Sequence, residues 1–162
     1  MIAIISDTHD HYPLLERVAD IIRKRKDIDL VVHCGDLIAP SILEILKGFP
    51  LKFVYGNNDG EIIGLTYKAK MLGFETPPAP FHDFTHEDKR FLVIHDIMGE
   101  VAQKLLNSQV YDYVLCGHTH KIRDEKIFNT RVINPGALCF RTNERSFALL
   151  DAKLDSLELV YL

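Results

Sequence analysis

The first sixty residues alternate between short apolar runs and amphipathic segments. Three nearly continuous apolar runs are typical of strands covered on both faces: "MIAIIS", "IDLVVHCGD" and "LKFVYGNND". After the first run, "DHYPLLERVADIIRKRK" has apolar residues at helical spacing, with Pro13 in the first turn. "APSILEILKGF" predicts a shorter helix with Ser41 as its N-cap. This order of strands and helices predicts a parallel sheet with crossover helices.

The second part of the chain is less regular. Residues 61–73 predict a helix, and "TPPAPFHDFTHED" predicts a loop leading into a weak strand. "RFLVIHD" predicts a strand, "GEVAQKLLNSQ" a helix, and "YDYVLCGHTH" the end of another strand. The remainder, from residue 123, predicts short strands joined by turns, with "NPGA" as a turn before a strand. We therefore expect one α/β domain over residues 1–162, with a parallel first half and a more antiparallel finish.

The composition is that of a soluble globular protein. Of the 162 residues, 47% are hydrophobic and 26% are charged, and the apolar runs are too short to span a bilayer. The N-terminal stretch has no basic segment and reaches an acid at position 7, which argues against a signal peptide. We therefore expect a cytoplasmic protein without a membrane partner.

The net charge and the cysteines argue against two kinds of function, nonspecific nucleic-acid binding and a thiolate metal site. The net charge of −4 argues against nonspecific nucleic-acid binding, and "IIRKRK" is better interpreted as a helix end than as a basic patch. Cys34, Cys116 and Cys139 lie in or beside apolar runs and lack C-x-x-C spacing. We interpret them as reduced core thiols rather than as a thiolate metal site.

Five polar clusters each follow an apolar run directly. They are Asp7-Thr8-His9, Gly35-Asp36, Gly56-Asn57-Asn58-Asp59, His95-Asp96 and Gly117-His118-Thr119-His120. In open α/β sheets, ligands bind beyond the carboxyl ends of the strands. If these strands are mostly parallel, all five clusters meet along one rim.

Each cluster alone has a simpler interpretation. Asp7 or Asp36 could be a helix N-cap, and His95 could be a hydrogen-bonded core histidine. The G-N-N-D segment could be a tight turn, and the H-x-H pair fits metal ligation and chance equally well. The repetition at five successive strand ends is what favours a shared site.

The residue types point to metal ions. Carboxylate, imidazole and amide oxygen suit Mn, Fe, Co, Ni or Zn, and we take Mn as the preferred ion. Seven candidate ligands exceed one tetrahedral site and suit two ions about 3.5–4 Å apart. Asp36 stands alone in its cluster and is the predicted bridge. Two divalent ions, two carboxylates and a hydroxide leave a net positive charge, which favours an anionic phosphoryl substrate.

The five motifs together resemble a known family. D-x-H, G-D, G-N-x-D, a lone His and G-H-x-H, in that order, resemble the calcineurin-like metallophosphoesterases, and most closely their small single-domain bacterial and archaeal phosphodiesterases. The resemblance covers essentially the whole chain, including "NPGA". It implies a four-layer αββα sandwich of two mixed β-sheets flanked by helices. It also implies one metal ion held by Asp7, His9, Asp36 and His120, and a second held by Asp36, Asn57, His95 and His118.

The resemblance implies a phosphodiesterase that acts on a small phosphoester. We expect a hydroxide shared between the ions to attack phosphorus in line, with Asp36, Asn57 and His118 as the catalytic residues. The alternatives are a metal-binding interaction scaffold, similar to the retromer subunit of this fold, and a mononuclear metal protein. The apolar segments "LTYKAKMLGF" and "PPAPF" leave a homodimer or homotetramer open.

Three positions depart from the family pattern. Asn58 stands where many relatives have a histidine that donates a proton to the leaving group, and an amide cannot act as an acid near neutral pH. This favours diesters with good leaving groups, and it leaves Asp59 to cap the next helix. Asp96 replaces a common glycine, which would add a charge near the second metal, and Ala137 replaces a common serine.

The remaining polar candidates are not assigned to the metals. We expect Arg141 on the surface, although it could reach a phosphate, and His11 beside the pocket. His33 lies inside a strand and is expected in the core. His82 and His86 lie in the polar loop and are expected on the surface.

Overall fold

The computed structural model describes residues 1–162 as two β-sheets, three α-helices and one 3₁₀ helix. The helices are α1 (Tyr12–Lys24), the 3₁₀ helix (Pro40–Leu46), α2 (Ile62–Met71) and α3 (Glu100–Asn107). The strands are β1 (Ile2–Ile5), β2 (Leu30–His33), β3 (Leu51–Phe53), β4 (Phe81–His86), β5 (Lys89–Ile94), β6 (Tyr113–Leu115), β7 (Ile122–Ile127), β8 (Thr130–Pro135), β9 (Ser146–Asp151) and β10 (Ser156–Tyr161).

Both sheets combine parallel and antiparallel strands. The first has the order β10-β9-β1-β2-β3, in which β1, β2 and β3 are parallel and β9 and β10 run antiparallel. The second has the order β4-β5-β6-β8-β7, with a parallel centre and an antiparallel strand at each edge. The predicted parallel first half and more antiparallel finish are therefore confirmed.

The alternation of side chains along β1 shows how four layers form. Ala3 and Ile5 pack against α1, the 3₁₀ helix and α2, whereas Ile2 and Ile4 pack against the second sheet. On the far side of the second sheet, α3 packs its buried side chains against β5 and β6. Because β1 buries both faces, its sequence is a continuous apolar run. The αββα architecture is confirmed.

Two local predictions were wrong. "APSILEILKGF" forms a 3₁₀ helix that begins at Pro40 with Ala39 as its N-cap, and the Ser41 hydroxyl bonds the Tyr12 hydroxyl instead, at 2.6 Å. Proline suits the first helical position, so Ser41 falls two residues too late to act as the cap. In "NPGA", Asn134 and the following proline still belong to β8, and the turn starts at Gly136, whose φ is +88°.

The three cysteines are buried free thiols, as expected for core residues, and the Cys139 sulfur also lies within 4.8 Å of ligand atoms of His9 and His120. Burial raises the pKa of Cys34 well above its usual value and raises the pKa of Cys116 to about 12. Both therefore stay neutral at physiological pH.

One face of α2 is apolar and exposed. Ile63, Tyr67 and Met71 follow one another at four-residue spacing and are 87%, 65% and 66% exposed. They lie in or next to "LTYKAKMLGF", one of the apolar segments that leave a homodimer or homotetramer open. The oligomeric state stays a prediction. None of the helices has the length and apolar character needed to cross a membrane.

Asp59 fastens the loops that follow β2 and β3. Its buried carboxylate accepts hydrogen bonds from the backbone N–H groups of Asp36 (2.9 Å), Ile38 (2.7 Å) and Gly56 (2.7 Å). The predicted role as the cap of α2 was wrong, because Glu61 occupies the N-cap and no side chain caps that helix. The sequence pattern did not show the actual role, because two of the three donors lie more than 20 residues away.

Replacing Asp59 with asparagine should lower the free energy of unfolding by about 3 kcal/mol, since an amide presents N–H donors to N–H donors and leaves buried groups unpaired. Urea unfolding followed by circular dichroism measures this change. Asp20, 66% exposed on α1, is the matched control, and Asp20→Asn should change stability by less than about 0.5 kcal/mol. Equal unfolding midpoints for Asp59→Asn and the wild type would show that Asp59 does not hold these loops.

Candidate metal centre

The seven predicted ligands all lie just beyond strand ends. Asp7 and His9 follow β1, whereas Asp36 and Asn57 follow β2 and β3. His95, His118 and His120 follow β5 and β6 of the second sheet. The clusters therefore come from both sheets and meet where the two sheets face each other, rather than along the rim of one sheet.

Four of these side chains form a compact group. The ligand atoms of Asp7, His9, Asp36 and His120 all lie within 4.8 Å of one another. His9 Nε2 is 3.2 Å from His120 Nε2 and 3.4 Å from Asp36 Oδ2. His120 Nε2 is 3.3 Å from Asp7 Oδ1. Two carboxylates and two imidazoles facing a common point form a donor set that suits a divalent transition-metal ion.

The other side chains form a second group around the Asn57 amide oxygen. Asn57 Oδ1 is 2.8 Å from His118 Nδ1 and 3.0 Å from His95 Nε2. His95 Nε2 is also 3.5 Å from Asp36 Oδ2, the same oxygen that faces His9. One oxygen of Asp36 is therefore shared between the two groups, which is the position predicted for the bridge.

The protonation of His95 follows from its hydrogen bonds. His95 Nδ1 lies 2.7 Å from the carbonyl oxygen of Cys34, and a carbonyl can only accept, so Nδ1 carries the proton. In the neutral ring, Nε2 then presents a lone pair to Asn57 Oδ1 and to Asp36 Oδ2, which are also acceptors. At these distances the contacts require either a proton on Nε2, which makes the ring an imidazolium, or a bound cation between the atoms. A metal-binding histidine usually donates its other ring N–H to a carbonyl or carboxylate, as His95 Nδ1 does here, and this bond fixes the orientation of the ring.

The charges of the buried carboxylates support the same conclusion. Asp7 and Asp36 are buried, and their ion-pair partners are histidines rather than lysine or arginine. Burial alone would raise the pKa of Asp36, but the His95 ring and the Asn58 amide groups hold it well below its usual range. Burial likewise lowers the pKa of His95, yet the Asp36 carboxylate outweighs this and leaves that pKa raised. The residues present therefore favour a cation at this position.

The backbone at the centre is held in a rarely populated conformation. Five of the seven ligand residues have a positive φ, between 44° and 69°: Asp7, His9, Asp36, His118 and His120. Hydrogen bonds between the loops hold this conformation. The Asp7 N–H donates to Gly35 O, the His9 N–H donates to Asp36 O, each at 3.0 Å, and the His118 N–H donates to the Asp7 carboxylate.

Gly56 is required by close approach rather than by turn geometry. Its φ is not positive, but a Cβ at this position would overlap the Asp36 carboxylate and the Asp36 backbone nitrogen. The absent side chain lets the loop after β3 close onto Asp36.

Asn58 contacts both oxygens of Asp36. Its backbone N–H donates to Asp36 Oδ1 and its side-chain Nδ2 donates to Asp36 Oδ2, each at 2.8 Å. The amide therefore orients the shared carboxylate. This contact accounts for an asparagine at a position where the family resemblance leads one to expect histidine.

Sequence reasoning missed Asn134 as part of this site. Its Nδ2 donates to Gly117 O at 2.7 Å and to Thr119 Oγ1 at 3.2 Å, and its Oδ1 accepts from the Gly136 N–H. Asn134 thus braces the G-H-x-H loop from β8. The available signal was a polar residue within the apolar strand "RVINP", because a buried amide requires partners.

The remaining histidines lie outside both groups. His11 Nδ1 accepts from the Leu14 N–H at the start of α1, and burial lowers the pKa of the core residue His33 to about 3. The expectation for His82 and His86 was wrong, since both are half-buried on β4. Asp96 accepts from the Met98 N–H at 2.7 Å in the turn after β5, and Arg141 is exposed, as expected.

Comparisons with known proteins identify the family of the chain. Residues 1–155 match the calcineurin-like phosphoesterase superfamily domain. The phosphodiesterase MJ0936 of Methanocaldococcus jannaschii is 31% identical over 155 residues, which cover 94% of this chain and 93% of the relative.

Solved structures resemble the whole chain. A structure described as a novel archaeal phosphodiesterase has a TM-score of 0.92 and 29% identity, covering 99% of both chains. Vps29 of Entamoeba histolytica shares the fold, with a TM-score of 0.67, 17% identity, and coverage of 99% of this chain and 98% of its own. The family implies divalent metal ions, for which the two groups around Asp36 form a candidate site. The chain belongs to the calcineurin-like phosphoesterase superfamily.

Proposed function

We propose that the protein is a dinuclear metal-dependent phosphodiesterase that hydrolyses diesters with good leaving groups. The observation that carries this proposal is the position of Asp36 Oδ2, which lies 3.4 Å from His9 Nε2 and 3.5 Å from His95 Nε2. A carboxylate oxygen shared by two donor sets suits the two-ion sites of phosphatases and nucleases. The phosphodiesterases among its relatives support the diester class.

The proposed ligand sets follow the two groups of side chains. Asp7, His9, Asp36 and His120 would hold one ion, and Asp36, Asn57, His95 and His118 would hold the other. Mn²⁺ is the proposed ion because it accepts carboxylate, imidazole and amide-oxygen ligands. When bound, the two ions supply an activated water at neutral pH and neutralise charge at phosphorus.

Asn57 and His118 are the exposed members of the site, whereas His95 is buried. Because Asn57 Oδ1 faces His95 and His118, its Nδ2 remains available to donate a hydrogen bond to a phosphoryl oxygen. Such a donor stabilises the charge that develops on the non-bridging oxygens during attack. Asp36 positions both donor sets, and His118 lies beside the amide that contacts the substrate.

Asn58 determines which leaving groups are favoured. Its amide is bonded to Asp36 and has no proton to transfer near neutral pH. A leaving group must therefore depart without protonation from this position. Aryl leaving groups tolerate this, while alkyl groups do not.

The alternatives explain fewer of the contacts. A mononuclear site would leave Asn57, His95 and His118 converging on one another without a ligand. An interaction scaffold does not require the complete set of seven ligands within contact distance. The enzyme proposal accounts for all of them.

Removal and return of metal tests the proposal directly. Protein stripped with EDTA should hydrolyse bis(p-nitrophenyl) phosphate at a background rate, and added Mn²⁺ should restore turnover, because activation of the attacking water depends on the ions. Release of p-nitrophenolate is followed by absorbance. Folded, Mn²⁺-loaded protein without turnover would contradict the proposal and favour the scaffold.

Asp36→Asn should lower kcat by about 10²–10³-fold and reduce the metal content below two ions per chain, since the shared oxygen would belong to a neutral amide, which binds two cations more weakly than a carboxylate does. Metal content is measured by elemental analysis after dialysis. Asp96→Asn is the matched control, because Asp96 neighbours the site but bonds only the Met98 backbone. Two retained ions together with wild-type turnover in Asp36→Asn would disprove the bridge.

Asn58→His should weaken the dependence of rate on leaving group. An imidazole can protonate a departing alkoxide or phenoxide, an effect worth about 10²–10⁴-fold for poor leaving groups. The slope of log kcat/KM against leaving-group pKa, measured for aryl methyl phosphates, should become shallower. Asn58→Gln adds no acid and should keep the steep slope. Parallel slopes for Asn58→His and the wild type would show that no leaving-group proton passes through this position.

A further inference from the structure

An exposed aromatic residue follows a cysteine that contacts one of the candidate metal ligands. Phe140 is 72% exposed, although the eight residues before it are buried. Its neighbour Cys139 has its Sγ 3.4 Å from His120 Nδ1. Phe140 therefore follows a residue that contacts His120, a member of the donor group that also contains Asp7, His9 and Asp36.

The Phe140 ring is supported on one face. It stacks on the His11 imidazole with ring centroids 3.9 Å apart and an angle of 19° between the planes. His11 is itself buried and fixed at the start of α1, where its Nδ1 accepts from the Leu14 N–H. The high exposure of Phe140 then belongs to the opposite ring face and the edges.

The backbone that carries Phe140 is anchored to the metal loop. The Leu138 N–H donates to the carbonyl oxygens of Ser6 and Asp7, at 3.3 Å and 3.2 Å. The backbone two residues before the ring is thus fixed to the loop that carries Asp7. A supported ring with an open face stacks on a flat aromatic group with little loss of side-chain freedom.

We infer that Phe140 is a stacking platform for an aromatic arm, an aryl ring or a nucleobase, of the phosphodiester substrate. This inference rests on the proposed function and adds the substrate class. Base–aromatic stacking tolerates many ring types, because each presents a π-face. The site would therefore select diesters that carry an aromatic group over purely aliphatic ones.

Binding of two diesters with different arms tests the platform. Diphenyl phosphate and diethyl phosphate carry the same charge and differ in their arms. Isothermal titration of the Mn²⁺-loaded protein gives both Kd values, with the release of phenol measured in parallel so that the heat of any hydrolysis is subtracted. The wild type should prefer diphenyl phosphate by about tenfold. Phe140→Ala should weaken diphenyl phosphate binding by about tenfold and leave diethyl phosphate unchanged.

Two further variants separate stacking from apolar contact. Phe140→Tyr keeps a ring and should keep the preference, whereas Phe140→Leu keeps apolar character without a ring face and should behave as Phe140→Ala. Wild-type binding of both diesters by Phe140→Ala would overturn the inference. So would an equal loss for both diesters, or no binding of diphenyl phosphate by the wild type.

The outcomes also separate the platform from the proposed function. A preserved preference for diphenyl phosphate, without any Mn²⁺-dependent turnover of bis(p-nitrophenyl) phosphate, would contradict the phosphodiesterase and retain the aromatic subsite. Turnover without a preference that depends on Phe140 would retain the phosphodiesterase and reject the subsite.

Discussion

The position of the Asp36 carboxylate is the constraint on which the candidate centre depends. Its backbone N–H donates to Asp59, and its carbonyl accepts from the His9 N–H. Its two carboxylate oxygens accept from Asn58, and one of them also faces His9 and His95. Asp36, in the loop after β2, thus connects the loops after β1 and β3 with the second sheet. A shift of Asp36 would displace both donor groups together.

This arrangement is unfavourable unless a positive charge is present. Two buried carboxylates have histidines rather than lysine or arginine as ion-pair partners, and His95 Nε2 lies 3.0 Å from the Asn57 amide oxygen. Most of the ligand residues also have strained backbone conformations. Cations that bind the folded chain and not the unfolded chain would offset these terms and stabilise the fold. The stability of the loops and the chemistry of the site therefore have the same physical origin.

Two residues near the candidate centre, Asn58 and Phe140, have contacts that their residue types do not predict. Asn58 has an amide where an acid would act, and it uses that amide to orient Asp36. Phe140 exposes a ring where the surrounding chain is buried, and it is supported by a histidine that also caps α1. In the proposed phosphodiesterase, the first would affect how the leaving group departs, and the second would affect which diester binds. Neither role can be deduced from the residue type alone.

Apolar runs followed by polar clusters predicted, without any structure, most of the strands, the α/β class and the five clusters, within which the family resemblance selected the seven side chains of the candidate site. These features are local, because a strand buried on both faces needs consecutive apolar residues and a ligand-bearing loop needs polar ones. Only the tertiary structure decided that the clusters come from two facing sheets and that Asp59 and Asn134 brace the loops. It also showed why position 56 admits no side chain. Asp7 and His118 are in contact across 111 residues of chain, and a local pattern carries no information about a contact that depends on how two sheets pack.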